Sequence, residues 1–283
     1  MALYHRADLN TLWLLGDPVH HSKSPLIQNT ALQILEFPAL YLAAPVRVEH
    51  FAQVVESLPH LGAIGANVTV PHKQRAFELC DGVSSRAQKM KAVNTLHFRE
   101  GKIFGDNTDG IGWYSSLCEF CSVEDFDRAF IIGAGGAARA IGHTLVEAGM
   151  SEIRVFNRSQ ENGKALAQEL GTGSFEVSVC ELSSFEEQLR PKTLVVQTTS
   201  VGLQDDQSPL HPLQNWPSGC FLSELIYGKE TELMRQVSAL GGRCKDGLGM
   251  LCGQAAHSLA LWLDLPFEAI PLKAMQEVAA PRG

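Results

Sequence analysis

The 283-residue chain has no run of about 18 uncharged apolar residues, the length a membrane-crossing helix needs. No part of it is expected to span a bilayer. Its first residues include His5, Arg6 and Asp8 and show no small-residue cleavage pattern, so no secretory signal is expected. The seven cysteines are odd in number and scattered, which does not make a disulfide framework and fits a reducing, cytoplasmic setting. One C-x-x-C occurs, Cys118 and Cys121, but a zinc ribbon needs a second pair, and the surrounding segment 113–120 reads as helix. No metal site is expected. Positive charge is also scarce: 23 Lys and Arg stand against 31 Asp and Glu, a net of −8 with His neutral. An acidic surface argues against nucleic acid or an anionic membrane as the main partner. It leaves room for a phosphorylated cofactor, because a few local cations and helix N-termini can hold phosphates. Repeats, low-complexity tracts and long linkers are missing too.

What remains is a chain of ordinary globular composition, 45% hydrophobic and 19% charged, long for one domain and comfortable for two. Short apolar runs alternate with helical stretches, the pattern of βαβ units and a mainly parallel sheet. Strands are expected at 12–15, 40–44, 67–70, 92–98 and 102–104, with a turn at Glu100-Gly101 between the last two. Helices are expected from about Pro25, over 49–58, from about Lys73 and from about Thr108. A second series follows, with strands at 128–132, 153–156, 194–197 and 221–223, helices up to about Ala148 and Leu170, and a last helix over 247–262. The fold class is therefore α/β in two domains: a Rossmann-type dinucleotide-binding domain over 110–246, and a smaller, discontinuous α/β substrate domain from 1–109 and 247–283, with a cleft between them.

Within the second series, Gly133, Ala134, Gly135, Gly136, Ala137 and Ala138 follow a strand and open a helix as G-x-G-x-x-A. Gly133 permits a tight turn, Gly135 lets backbone approach a pyrophosphate, and Ala138 allows helix and strand to pack closely. The helix N-terminus adds free N–H groups and partial positive charge. The next strand ends at Phe156 and is followed by Asn157, Arg158 and Ser159, without the carboxylate that would hold a ribose 2′-hydroxyl. Arg158 can pair with a 2′-phosphate and Ser159 can donate a hydrogen bond to it, so NADP is expected over NAD. Read blandly, the same Arg158 is a solvated surface residue.

In the first series, G-D-P-V-H-H-S-K-S-P (Gly16 to Pro25) puts Ser22 and Ser24 on a loop entering a helix. Such hydroxyls serve equally as helix caps or as a carboxylate cradle. G-A-N-V-T-V-P-H-K, A-V-N-T-L and G-D-N-T-D-G then set out Lys73, Asn94 and Asp109, each just beyond a short β-type run, along with Thr69 and Thr108. A lysine, an amide and a carboxylate converging on one polar molecule point to proton transfer and substrate grip. Taken singly, Lys73 is a solvated lysine and Asp109 a helix cap.

The order and wording of these segments resemble the shikimate dehydrogenase family, and with D-G-L-G-M-L-x-x-Q-A-A (Asp246 to Ala256) and Q-T-T-S-V-G-L (Gln197 to Leu203) the resemblance covers nearly the whole chain. It implies reversible NADP(H)-dependent reduction of 3-dehydroshikimate to shikimate, in aromatic amino acid and chorismate biosynthesis. It implies Lys73 and Asp109 as the catalytic pair and Ser22 and Ser24 at the substrate carboxylate. Thr69, Asn94 and Gln254 would grip substrate hydroxyls or orient the pair, Thr108 and Tyr227 would add contacts on the carboxylate side, and Thr199 and Gly249 would lie along the cofactor. A small-molecule substrate and a monomer or homodimer are the implied partners. This chain departs from the family's wording at Glu224, where Asp is usual, at Gln197-Thr198, where Asn-Ala is usual, and at Asn162, where a second basic residue is common; Lys164 lies close but displaced. The alternatives are a quinate/shikimate dehydrogenase with relaxed cofactor use and a non-catalytic nucleotide-binding regulatory module.

Overall fold

The computed structural model describes residues 9–171 and 176–280. The chain forms two compact units, the first from residues up to Gly112 and from Leu251 onward, the second from Trp113 to Met250. Both boundaries fall inside helices, Asp109–Cys118 and Leu248–Leu263.

The first unit carries six strands: β1 (Asn10–Gly16), β2 (Ala39–Pro45), β3 (Ala63–Val68), β4 (Gly82–Val83), β5 (Thr95–Arg99) and β6 (Lys102–Asp106). They lie in the order β2-β1-β3-β5-β6-β4. β1 is parallel to β2 and β3, whereas β5 is antiparallel to both β3 and β6. This sheet is therefore mixed, where the alternating pattern predicts a mainly parallel one. The cause is the hairpin, in which Glu100 (φ 51°) and Gly101 (φ 73°) supply the two positive φ values a type I′ connection requires. β3 also begins and ends earlier than the expected 67–70, because Gly62 (φ 75°) closes the preceding helical turn and releases an extended chain at Ala63. Its Ala-Ile-Gly-Ala start carries little β-propensity, so the sequence pattern hides it.

The reversal of β5 matters for function. Its first residue lies at the edge where β1 and β3 end: Asn67 pairs with Thr95, and the Val68 N–H donates to the Asn94 carbonyl (2.8 Å). Asn94 thus precedes a strand instead of following one, yet arrives at the same edge. Phe51, Val55, Val68 and Leu96 fill the core on one side of this sheet. The helix Ser24–Ile34 is tied to Leu248–Leu263 by the Gln28 Nε2 donating to the Ala255 carbonyl (3.0 Å).

The second unit has six strands: β7 (Arg128–Ile132), β8 (Glu152–Phe156), β9 (Glu176–Cys180), β10 (Thr193–Gln197), β11 (Phe221–Glu224) and β12 (Arg243–Lys245). Their order is β12-β11-β10-β7-β8-β9 and every pairing is parallel. This is the doubly wound arrangement of dinucleotide-binding folds, with the order reversing between β7 and β10. Ala129 and Ile131 sit in one core cluster and Phe130 and Ile132 in another, so the alternation along β7 serves two covered faces. The edge strands β9 and β12 are short and half-exposed, which is why their sequences carry no strong strand pattern.

Candidate active site

In the first unit, the turn after β1 and the turn after β3 are laced together, with the Thr69 N–H donating to the Leu15 carbonyl (2.9 Å) and the Asp17 N–H to the Val70 carbonyl (3.0 Å). Ser22 Oγ accepts the Ser24 N–H at 3.1 Å, which fixes the turn entering the helix and leaves its own hydroxyl hydrogen available to a ligand. Ser24 is buried at the start of that helix.

Past β3, His72 is buried, stacks on Phe51 with ring centroids 4.3 Å apart, and donates through Nε2 to the Val46 carbonyl (2.6 Å). That anchor sets the start of the helix Lys73–Leu79, and Lys73 leads it. The Lys73 Nζ lies 2.5 Å from Asp109 Oδ2, with both side chains only partly exposed. Asp109 heads the helix Asp109–Cys118, where a carboxylate also meets the positive end of the helix dipole.

Asn94 is 2% exposed and joins these parts. Its Nδ2 donates to Asp109 Oδ1 (2.8 Å) and to Thr108 Oγ1 (3.1 Å), while its Oδ1 accepts the Thr108 N–H (2.9 Å). Thr108, expected near a substrate carboxylate, is wholly buried, and its hydroxyl meets Asn94, Ser258 and the Gln254 carbonyl. Its hydroxyl is engaged within the unit. Gln254 is half-buried, and its Nε2 donates to the Leu251 carbonyl (3.0 Å). Ser22, Ser24, Thr69, Lys73, Asn94, Thr108, Asp109 and Gln254 all belong to this one unit; Tyr227 belongs to the other.

In the second unit, Gly133 (φ 113°) turns the chain out of β7 at the switch point. A Cβ there would stand 2.5 Å from Thr198 Oγ1, which itself donates to the Ile132 carbonyl (2.7 Å), so the turn is closed against the end of β10. Gly135 and Gly136 are exposed, and added Cβ atoms would meet nothing within 4 Å. The backbone at the N-terminus of the helix Gly136–Glu147 is therefore open to a large ligand, while Ala138 is fully buried against the sheet and Ala134 and Ala137 are half-buried. This is the cradle a pyrophosphate needs.

Beyond β8, Asn157 Nδ2 donates to the Ser159 carbonyl (2.7 Å), and Ser159 Oγ accepts the Asn162 N–H (3.3 Å) as cap of the helix Gln160–Leu170. Asn162 thus contributes backbone here. Arg158 is exposed and makes no ion pair among the described residues. An unpaired guanidinium beside a helix N-terminus suits a phosphate.

The two buried departures from the family's wording are supports for loops. Gln197 Oε1 accepts the Thr199 N–H (2.5 Å), and its Nε2 reaches the Thr199 and Val201 carbonyls. Glu224 accepts the N–H groups of Leu225 (2.8 Å) and Ile226 (3.0 Å) and the Thr231 hydroxyl (3.0 Å), and burial pushes its carboxyl above the ordinary range. It shapes the turn that carries Tyr227. Gly249 lies against Ser116, where a Cβ would come 2.1 Å from Oγ, so small size is demanded there by packing inside its own unit. His72, Asn67, Thr95 and Ser258 take part in the first unit's site although none is a candidate from sequence; Asn67 and Thr95 stand inside the quoted motifs, whereas nothing in the sequence points to Ser258.

A doubly wound nucleotide fold with an open glycine turn, in one chain with a lysine held by a carboxylate, defines a nicotinamide-dependent α/β oxidoreductase. Residues 14–96 match the family model described as the shikimate dehydrogenase substrate binding domain, and residues 121–203 match the one described as shikimate / quinate 5-dehydrogenase. The chain is 38% identical over 255 residues to a shikimate dehydrogenase (NADP(+)) of Ruegeria sp. (strain TM1040), covering 88% of this chain and 91% of the relative. It is 35% identical over 279 residues to the enzyme of that name from Methanopyrus kandleri, covering 96% and 95%. The crystal structure of shikimate 5-dehydrogenase from Thermus thermophilus in complex with NADP(H) and shikimate superposes with a TM-score of 0.85 at 32% identity, over 96% of this chain and 98% of that one. The chain belongs to the shikimate dehydrogenase family. Among the described residues, no helix is long and apolar enough to cross a membrane, and no cluster of His, Cys, Asp and Glu could hold a metal.

Proposed function

We propose that this chain interconverts 3-dehydroshikimate and shikimate with NADP(H), using Lys73 as the proton-transferring group and Asp109 as its partner. The observation that carries this reading is the 2.5 Å contact between Lys73 Nζ and Asp109 Oδ2. The bound nicotinamide would supply or accept the hydride. Lys73 does the complementary work: its ammonium stabilises the negative charge that develops on the substrate's 3-oxygen and hands it a proton. Asp109 orients that ammonium, and Asn94 orients Asp109.

Ser22 and Ser24 bind the substrate carboxylate by hydroxyl donation, and Thr69 and Gln254, of the same unit, grip the substrate hydroxyls. The open turn at Gly133, Ala134, Gly135, Gly136, Ala137 and Ala138 takes the pyrophosphate, Asn157, Arg158 and Ser159 take the 2′-phosphorylated adenosine, and Thr199 and Gly249 flank the remainder of the cofactor. The unpaired Arg158 guanidinium and the missing carboxylate after β8 support NADP over NAD. A cytoplasmic monomer or homodimer is the setting this reading entails.

The deciding experiment compares kcat/KM for NADP⁺ and NAD⁺ reduction with shikimate and with quinate. Dominance of shikimate with NADP⁺ is expected. A preference for quinate or NAD⁺ overturns the substrate or cofactor assignment, and tight NADPH binding without turnover overturns the enzymatic one.

A further inference from the structure

Behind the Lys73–Asp109 pair runs a buried chain of polar side chains that ends in the hydrophobic interior of the first unit. Asn94 Oδ1 accepts the Thr95 hydroxyl at 2.8 Å. Thr95 Oγ1 lies 2.8 Å from Ser258 Oγ, and Ser258 Oγ donates to the Gln254 carbonyl at 3.0 Å or turns to Thr95. Asn67 Nδ2 donates to Ser258 Oγ (2.9 Å) and to the Asn94 carbonyl (3.1 Å), and Tyr41 donates its hydroxyl to Asn67 Oδ1 (2.8 Å). Thr95 and Ser258 are completely buried, and burial holds the Tyr41 phenol far above its ordinary pKa, so it stays a donor.

The direction of the hydrogen bonds follows from which groups can only donate. The Thr108 N–H has no lone pair to offer, so the atom of Asn94 facing it must be the carbonyl oxygen, and the NH₂ is turned to Asp109. Since Asn94 Oδ1 has no hydrogen to give, the Thr95 hydroxyl points its own hydrogen there and is left to accept from behind. Ser258 and Asn67 are the groups placed to supply that hydrogen bond. Every donor in the chain is spent on a neighbour nearer to Asp109 or on a backbone carbonyl. In a dry interior such aligned bonds strengthen one another, and a broken link leaves an unsatisfied polar group.

We propose that Thr95 and Ser258 are positioning residues for the hydride-transfer reaction: by fixing the Asn94 amide from behind, they hold the Asp109 carboxylate and, through it, the Lys73 ammonium. Neither touches the reacting atoms. The inference rests on the reading of Lys73 and Asp109 as the proton-transferring pair. Ser258 brings the helix Leu248–Leu263 into the site, although that helix lies more than 100 residues downstream of Asp109.

The test uses the full chain and follows NADPH formation from NADP⁺ and shikimate in a single turnover, which a slow product release does not mask. Thr95→Val keeps the side chain's shape and removes its hydroxyl, whereas Thr95→Ser keeps the hydroxyl. The expected result is a single-turnover rate lowered about tenfold in Thr95→Val and restored to within about twofold in Thr95→Ser, with dissociation constants for shikimate and NADP⁺ unchanged in both. Ser258→Ala, which removes the support behind Thr95, is expected to lower the rate in the same manner and answers the question if Thr95→Val does not fold. A parent-like rate in a folded Thr95→Val or Ser258→Ala, or an equal loss in Thr95→Ser, overturns the proposal. Failure of the underlying reading looks different: the parent enzyme, or Lys73→Ala, would then break the expected pattern before any Thr95 variant is compared.

Discussion

The backbone N–H of Thr108 donates to Asn94 Oδ1 at 2.9 Å, and that one bond decides which way the Asn94 amide faces. With its oxygen occupied, the amide presents its nitrogen to Asp109 Oδ1 at 2.8 Å, and Asp109 in turn holds Lys73 through its other oxygen. Asparagine is suited to this position because one flat group accepts on one side and donates on the other. Aspartate at residue 94 would put a second acceptor against Asp109 and repel it.

Replacing Lys73 by Ala removes the ammonium that Asp109 holds, the group proposed to deliver the proton. Turnover with shikimate and NADP⁺ is expected to fall by about 10²-fold or more, the scale of a positioned acid or base. Steady-state kinetics checks this, with circular dichroism to establish that the variant is folded. Near-parent turnover in a folded Lys73→Ala would remove Lys73 from the chemistry.

Ser22 divides its hydroxyl between two tasks, accepting the Ser24 N–H and keeping a hydrogen to donate. If the second task is to bind the substrate carboxylate, Ser22→Ala raises KM for shikimate by about tenfold and changes kcat less. An unchanged KM with a lowered melting temperature would instead mark Ser22 as a residue that only fixes the turn entering the helix.

Arg158 is exposed, lacks a carboxylate partner among the described residues, and stands beside the capped start of the helix Gln160–Leu170. Arg158→Ala is expected to lower kcat/KM for NADP⁺ by about 10- to 100-fold, as loss of charge-assisted hydrogen bonds does, with NAD⁺ values nearly unmoved. Equal losses with both cofactors would show that Arg158 does not read the 2′-phosphate.

Lys245 offers a test of the fold by pH. It is buried in the second unit with its Nζ on Ser116 Oγ and over the Phe120 ring, and burial lowers its pKa from 10.5 to about 8. The unfolded chain therefore holds this proton more tightly than the folded one. The stability this group withholds at neutral pH returns as pH rises from about 8 towards 10.5. Lys245→Met is expected to gain melting temperature relative to the parent near pH 7, and that difference should shrink as the pH approaches 10. A difference independent of pH would mean that the lysine stays charged and solvated in the folded chain.

Much of this was readable in the chain itself. G-A-G-G-A-A after an apolar run predicts a tight βα turn because only small residues permit it, and the turn is there, with Gly133 at a positive φ. Glu100-Gly101 between two alternating runs predicts a hairpin, and its two positive φ values close one. The position of Arg158 in place of an acid predicts the cofactor from charge alone. Such features are local: a few neighbouring residues contain the whole physical argument.

Other features depend on residues far apart in sequence, which no local pattern can relate. The hairpin is visible in the sequence, but its reversal of β5 against β3, which delivers Asn94 to the edge where Lys73 waits, is a matter of sheet order. Thr108 reads as a polar residue in a loop, and only packing turns its hydroxyl inward to Ser258 and the Gln254 carbonyl. Ser258 looks like one small residue in an apolar helix, and it becomes part of the site because that helix packs against β3 and β5, setting Ser258 beside Asn67 and Thr95, 191 and 163 residues earlier. Residue type and spacing determined which chemistry the chain can perform. Burial determined which polar groups lost water and therefore had to find one another, and that is decided only when the chain closes on itself.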